Sequence, residues 1–167
     1  MKPYNTKEDV RMFRNMRRFK QQISQEACEE LLRRQPRGVL ALLGDDDYPY
    51  ALPMDYIYED GRIYFHCAQT GHKLDAIARC DKASFCVMDE GYRVEGDWAL
   101  NITSVIVFGR IRRITDEAEM LARVRALGLK YNPDPQDVER ELRESLHHVC
   151  VLELTVEHMT GKLVNEK

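Results

Sequence analysis

The sequence lacks the features that mark several common classes of protein. Its five cysteines include no C-x-x-C pair, which argues against a zinc ribbon or a thioredoxin-type redox motif. No apolar run approaches the roughly 18 residues that suggest a membrane-spanning helix. The N-terminal segment carries charge but no apolar core of a signal peptide, so we expect a cytoplasmic protein.

The chain also has little net charge. Its 25 basic and 28 acidic residues give −3 at neutral pH, and the pI is near 6.0. We therefore expect no binding to nucleic acid and none to acidic membranes. A basic N-terminal arm is the exception, with Arg11, Arg14 and Arg18 at helical spacing. This spacing predicts a solvated surface helix; the alternative is an arm that folds over a bound anion or a partner subunit.

The length and composition indicate a single folded domain over residues 1–167. Hydrophobic residues make up 44% of the chain and charged residues 32%, which is the globular range. Alternating and apolar runs predict strands over residues 38–43, 50–58, 62–67, 83–88, 102–114 and 150–156. Amphipathic segments predict helices over residues 24–35, 73–79, 117–130 and 136–146. We therefore predict a mainly β domain with peripheral helices (α+β), built on a six-stranded antiparallel barrel with a helical insertion at about 117–146.

The segment Ile63–Ile77 is the most informative part of the chain. An apolar strand runs into a polar loop, and Gly71 precedes a short helix that His72 and Lys73 open. A helix N-terminus offers unpaired N–H groups and partial positive charge, and glycine allows close approach of a ligand. Lys73 adds a full charge. The pattern predicts a phosphate site, although an ordinary helix can also begin this way.

Metal binding is the less favoured interpretation of the same segment. His66, Cys67 and His72 carry ligating atoms. His66 and Cys67, however, project to opposite faces of the predicted strand. We therefore expect no metal site.

Pro53 interrupts a strand-like run. Proline cannot donate to a β-ladder, so this strand is expected to be interrupted or to lie at an edge. Its free backbone groups would suit the polar edge of a flat heteroaromatic ring, with Met54, Tyr56 and Trp98 as apolar neighbours. An edge strand that simply faces water is the alternative.

The motifs occur in a characteristic order: G-x-L-A, P-Y-x-x-P-x-x-Y, D-G-x-I-Y-F-H, G-x-K-L-D-A-I and S-V-x-x-F-G-R, between residues 38 and 110. This order resembles the flavin-binding split-barrel superfamily of pyridoxamine phosphate oxidase, and within it the nitroimidazole-resistance group. The resemblance covers nearly the whole chain. Asp55 stands where that group commonly has asparagine, and Cys67 stands where a hydroxyl residue is usual.

The resemblance implies a homodimer with FMN at the subunit interface. It places the flavin ring along the interrupted strand, the phosphate at the short helix, and further polar contacts at the start of the long strand. The cofactor-binding residues that it implies are Leu52, Pro53, Met54, Asp55, His66, Cys67, His72, Lys73, Thr103 and Ser104.

The same resemblance implies an FMN-dependent oxidoreductase that reduces a nitroaromatic or another small electrophile. Electrons would come from a reduced nicotinamide or a protein donor. A flavin carries the redox chemistry itself, so the lack of a catalytic triad is expected. His66 is the candidate proton donor because imidazole titrates near neutrality. Alternatives are a flavin-storage or sensing protein, pyridoxamine phosphate oxidase-type activity, and a haem or deazaflavin ligand.

Overall fold

The computed structural model describes residues 13–165, which form eight strands, four α-helices and three short 3-10 helices. The strands are β1 (Arg37–Leu43), β2 (Pro49–Asp55), β3 (Ile57–Glu59), β4 (Arg62–Ala68), β5 (Lys82–Met88), β6 (Tyr92–Arg93), β7 (Leu100–Arg113) and β8 (Val149–Val164). The helices are α1 (Gln25–Arg34), α2 (His72–Arg79), α3 (Glu117–Tyr131) and α4 (Pro135–Ser145).

The strands form one antiparallel sheet that curls into a barrel with an open seam. Their order across the sheet is β2-β1-β5-β7-β8-β4-β3, and β6 pairs with β7. The two ends of this order, β2 and β3, are consecutive in the chain and are separated only by Tyr56. The chain itself therefore joins the two edges, while no ladder connects β2 to β4 within the described residues. This gap between β2 and β4 is the seam.

Two local features shape the barrel. Asp60 and Gly61 have φ of 46° and 75°, as a two-residue hairpin turn requires. Gly109 lies at the register shift between β7 and β8, where Phe108 pairs with His158 but Gly109 pairs with Val156. A Cβ at position 109 would lie 2.0 Å from the carbonyl oxygen of Thr155. Gly109 thus forms a β-bulge, and only glycine permits this close approach.

The barrel interior holds the main core, which includes Phe65 and Phe85. Helix α1 contributes Cys28, Leu31 and Leu32 to this core. The Ser24 side chain caps α1 by accepting a hydrogen bond from the Ala27 N–H at 3.2 Å, which is a common role of serine at a helix start.

A second cluster lies outside the barrel, where the helical insertion packs on the sheet. It joins Leu127 of α3 to Ile57, Tyr64, Ile114 and Val151. Tyr64 and Phe65 thus point to opposite faces of β4, as strand alternation predicts. Within residues 13–165, no helix is both long and apolar enough to cross a membrane.

The predicted split-barrel architecture is confirmed, with differences in its strands. The run predicted over 50–58 is divided at Tyr56, the two-residue β6 lies outside the predicted strands, and β8 extends to Val164.

The predicted arm helix is wrong for the described part of the arm. Residues 14–18 contain no α-helix, and a single 3-10 turn follows at Phe19–Gln21. Phe13 instead stacks against Phe108 and His158 on the sheet. Arg11 lies outside the described residues.

Candidate functional site

A cavity of about 680 Å³ opens at the seam between β2 and β4. We call it the seam cavity. Its walls come from β1, β2, β4, α2, the start of β8 and the residue before it. The lining residues are Arg37, Pro53, Met54, Asp55, His66, Cys67, Ala68, Lys73, His148 and Val149.

Pro53 explains why the barrel is open at this place. Within residues 13–165, strand β2 pairs only with β1, and Pro53 faces Val39 in that ladder. No strand of this described part borders the seam edge of β2, so alternate backbone groups there are free to contact a ligand. Met54 points into the core, whereas Pro53 is exposed. The prediction of an edge strand is confirmed.

Arg37 and Asp55 form an ion pair at one end of the cavity. Their Nε and Oδ1 atoms are 2.6 Å apart, and both side chains are partly exposed. The two residues are directly opposite each other in the β1–β2 ladder. Because the pair faces solvent, it contributes little to stability. Its effect at the site is to neutralise the Asp55 carboxylate.

A smaller cavity of about 210 Å³ adjoins the seam cavity at Cys67, Ala68 and Lys73. We call it the loop cavity. Its further lining residues, from β2, the 68–74 loop and α2, are Tyr50, Leu52, Thr70, Gly71, His72 and Leu74. Gly71 has φ of 133° and provides no side chain to cap α2. The first N–H groups of α2 and the Lys73 ammonium therefore lie together at the wall of this cavity, an arrangement that favours an anion.

The two basic residues at the start of α2 differ in their surroundings. The His72 ring stacks on Tyr50 with centroids 4.2 Å apart, and its Nε2 is 3.4 Å from Asp45 Oδ2. Within residues 13–165, Lys73 forms no ion pair. Lys73 is therefore the more available cation for an anionic ligand.

Cys67 lies between the two cavities and the core. Burial raises the pKa of its thiol to about 11, although the nearby Lys73 ammonium opposes this rise. The thiol therefore stays protonated at neutral pH. It contributes polarizable surface to the cavity wall and no negative charge.

A third cavity, of about 210 Å³, lies where α3 and α4 meet the seam. We call it the helix groove. It shares Asp55, His66 and Val149 with the seam cavity, and its other lining residues are Val124, Leu127, Gly128, Tyr131, Glu141, Leu142, Ser145 and Leu146. The exposed His66 side chain is thus part of the wall of both cavities.

The end of α3 is fastened to the point where β2 and β3 divide. The Tyr131 hydroxyl accepts a hydrogen bond from the Tyr56 N–H at 2.8 Å and donates to the Pro36 carbonyl. The Lys130 ammonium donates to the carbonyls of Tyr56 and Gln35 at 3.0 and 2.8 Å. Burial lowers the pKa of Lys130 to about 8. These side chains satisfy backbone groups that the divided strand leaves without ladder partners, and so they hold the helical insertion beside the seam.

The structure brings most of the predicted site residues together. Those that line the seam cavity or the loop cavity are Leu52, Pro53, Met54, Asp55, His66, Cys67, His72 and Lys73. Thr103 and Ser104 do not line either cavity. Thr103 faces a separate cavity beside α1, and Ser104 pairs with Met88 and Lys162 in the sheet.

Two apolar residues predicted beside the ring are placed elsewhere. Tyr56 is fully buried and packs edge-on against Phe85 inside the barrel. Trp98 is 71% exposed and lines neither the seam cavity nor the loop cavity. Strand alternation turns Tyr56 inward, so its ring cannot contact a ligand in the seam.

The sequence analysis missed Arg37, His148 and Val149 at the seam cavity. A signal for Arg37 was present, because a hairpin centred on residue 46 pairs residue 37 with Asp55. His148 and Val149 reach the site through the ladder between β4 and β8, in which Ala68 pairs with Val149. Among the described residues, no group of three His, Cys, Asp or Glu side chains is arranged to hold a metal ion.

An antiparallel split barrel with a cavity at its open seam defines a recognisable class of protein. The model of the pyridoxamine 5'-phosphate oxidase family matches residues 24–163. The chain therefore belongs to this family. No curated protein matches the chain at a significant level.

Solved structures share this fold. A candidate 5-nitroimidazole antibiotic resistance protein of Bacteroides thetaiotaomicron has a TM-score of 0.74 at 19% identity, over 86% of this chain and 87% of that one. An FAD- and haem-binding protein of Mycobacterium smegmatis has a TM-score of 0.70 at 23% identity, over 88% and 74% of the two chains. An FAD-binding protein of Mesorhizobium loti has a TM-score of 0.63 at 19% identity, over 86% and 96%. At sequence identities this low, the structural similarity establishes a common fold and nothing more specific.

Proposed function

We propose that this protein binds a flavin, FMN, along the seam and uses it as an oxidoreductase on a small electrophile such as a nitroaromatic. One observation carries the proposal: the unpaired edge of β2, His66, Cys67 and Lys73 all meet at one connected pair of cavities. Membership of the pyridoxamine 5'-phosphate oxidase family supports a flavin as the ligand. The similarity to proteins named as flavin-binding is consistent with it.

The cavities fit the two ends of FMN. The seam cavity of about 680 Å³ is within the usual range for cofactor sites, and one of its walls is the free edge of β2. A flavin ring there would lie beside Pro53, Met54 and Asp55, with backbone groups to meet its polar edge. The phosphate would lie at the start of α2, where Lys73 and the helix N–H groups favour an anion.

We further propose that the protein is a homodimer through the outward face of β1, β5 and β7. Large apolar residues on these neighbouring strands face solvent, among them Met88 (63% exposed) and Ile106 (41%). Such a contiguous apolar face is characteristic of an interface. The face continues across β1 to Pro53, which pairs with Val39. A second copy on this face would therefore border the seam cavity.

The dimer also gives Ser104 a role that a single chain does not. Ser104 shares the outward face of β7 with Ile106. In a twofold assembly, Ser104 of the partner subunit would approach the seam from the opposite side. This would supply the polar contact that the family resemblance implies for Ser104, whereas Thr103 faces the cavity beside α1.

The bound flavin would supply electron transfer. The protein would bind and orient the cofactor, and His66 would hold a proton for the substrate at the wall between the seam cavity and the helix groove. Imidazole can donate a proton near neutral pH.

The test is reduction of a nitroaromatic acceptor by the FMN-loaded protein with a reduced nicotinamide as donor. We expect His66→Gln to slow turnover about 100-fold or more while FMN still binds. His148→Gln is the matched control, because His148 lines the seam cavity but not the helix groove. A fully active His66→Gln protein would remove the catalytic role of His66. FMN binding without any turnover would favour the storage or sensing alternative.

A further inference from the structure

The helix groove has the features of a ligand site whose occupant the proposed function leaves open. Four residues of α3 (Val124, Leu127, Gly128 and Tyr131) are spaced so that they share one helix face. Opposite them lie Leu142 of α4 and Leu146, which directly follows α4. Two amphipathic helices thus turn apolar surface toward the seam, and the surface between them remains open.

The size of the groove restricts its occupant. Its volume is about 210 Å³, and an apolar cavity of about 150 Å³ is enough to take up benzene. The groove therefore accommodates one six-membered ring with a small substituent. A fused three-ring system such as a flavin is too large for it.

The charges at the groove restrict the occupant further. Asp55 and Glu141 are the carboxylates among its lining residues, and no lysine or arginine of the described part of the chain lines it. Asp55 is paired with Arg37. Glu141 accepts a hydrogen bond from Ser145 at 3.0 Å and has no ion pair within residues 13–165. An anionic ligand would thus meet an uncompensated carboxylate and no cation except a protonated His66.

We propose that the helix groove is the substrate pocket, and that it takes a neutral or positively charged single-ring aromatic molecule and rejects an anionic one. This inference rests on the proposed function, because the groove opens to the seam cavity through Asp55 and His66. A ring in the groove would present its open edge to a flavin in the seam. The same charges disfavour phosphorylated substrates, and with them pyridoxamine phosphate oxidase-type activity.

The test uses three probes of similar shape and different charge: benzyl alcohol, benzylamine and benzoate. Binding to the full chain is measured by saturation-transfer-difference NMR, first without flavin and then with saturating FMN. We expect benzyl alcohol and benzylamine to bind and benzoate to bind about tenfold more weakly or not at all. Equal binding of benzoate would overturn the charge selection.

Two variants assign the binding to the groove. Ser145→Trp fills the groove and is expected to abolish probe binding, whereas Glu144→Trp places the same side chain on the exposed part of α4 and serves as the control. Glu141→Gln is expected to raise the binding of benzoate toward that of benzyl alcohol, with Glu144→Gln as its control. Unchanged probe binding in Ser145→Trp, or unchanged rejection of benzoate in Glu141→Gln, would refute the proposal.

FMN titration of the same proteins separates this inference from the proposed function. We expect Ser145→Trp to bind FMN as the unmodified protein does, because Ser145 does not line the seam cavity. FMN binding without Ser145-dependent probe binding would refute the groove proposal alone. Probe binding that depends on Ser145, without any FMN binding, would refute the proposed function and the role of the groove as a substrate pocket. The groove would then be a binding site for neutral or positively charged aromatic molecules without that role.

Discussion

Replacement of Lys73 tests the phosphate end of the proposed site. Lys73 is half-buried at the second position of α2, lines both the seam cavity and the loop cavity, and has no ion pair within the described residues. Lys73→Met keeps most of the aliphatic stem and removes the charge. Loss of one charge-assisted hydrogen bond to a phosphate costs about 1.5–3 kcal/mol. Because the position is partly exposed, we expect about 1.5–2 kcal/mol, which is roughly a 10- to 30-fold rise in Kd.

Comparison of FMN with riboflavin makes this prediction specific. Riboflavin has the same ring and ribityl chain but no phosphate, so Lys73→Met should leave its affinity nearly unchanged. Both affinities are measured by the quenching of flavin fluorescence. The effect on FMN should also shrink at high salt, because exposed charges are screened.

Lys82→Met is the matched control. Lys82 is exposed at the start of β5 and lines none of the three cavities at the seam. Equal FMN affinity in Lys73→Met and the unmodified protein would refute the phosphate assignment. An equal loss of FMN and riboflavin affinity would indicate damage to the ring site rather than loss of a phosphate contact.

Three further predictions address the Lys130 ammonium beside Tyr56, the proposed dimer and the bulge at Gly109. Lys130 has a pKa near 8 when folded and an ordinary value of 10.5, so the unfolded chain holds the proton more tightly and stability should rise between pH 8 and 10.5. The comparison is the free energy of unfolding of the unmodified protein minus that of Lys130→Met. Because Lys130 is only about half buried, we expect this difference to grow by about 1–2 kcal/mol from pH 8 to 10.5. A difference in urea unfolding that does not change with pH would contradict this. If the proposed dimer forms through this face, Ile106→Asp should give a monomer in sedimentation, whereas Leu129→Asp, at a position that is 43% exposed on α3, should not; a dimeric Ile106→Asp protein would exclude this face. Gly109→Ala should destabilise the fold by about 3 kcal/mol or more, because the new Cβ meets the carbonyl oxygen of Thr155 at 2.0 Å; an unchanged urea midpoint would show that the close approach is relieved.

The predictable parts of this structure are those that local chemistry determines. The Asp60–Gly61 turn, the Ser24 cap and the edge position of Pro53 each follow from the conformational or hydrogen-bonding limits of a few residues. The segment that ends in Lys73 was also interpretable, because strand, loop and helix start have different periodicities.

The remaining parts depend on contacts between distant segments. Tyr56 belongs to an apolar run, and its inward direction depends on the division of β2 from β3, which Lys130 and Tyr131 stabilise from far along the chain. Ser104 was predicted for a dimeric site and is remote from the seam in a single chain. The helix groove arises only when α3 and α4 dock on the sheet, so no local pattern indicates it.

Titration of the purified, flavin-free protein with FMN tests the central claim most directly. The account predicts saturable quenching of flavin fluorescence with one FMN per chain, and a yellow protein that releases FMN on heating. A protein that stays colourless and leaves the fluorescence of FMN unchanged would contradict a flavin site at the seam.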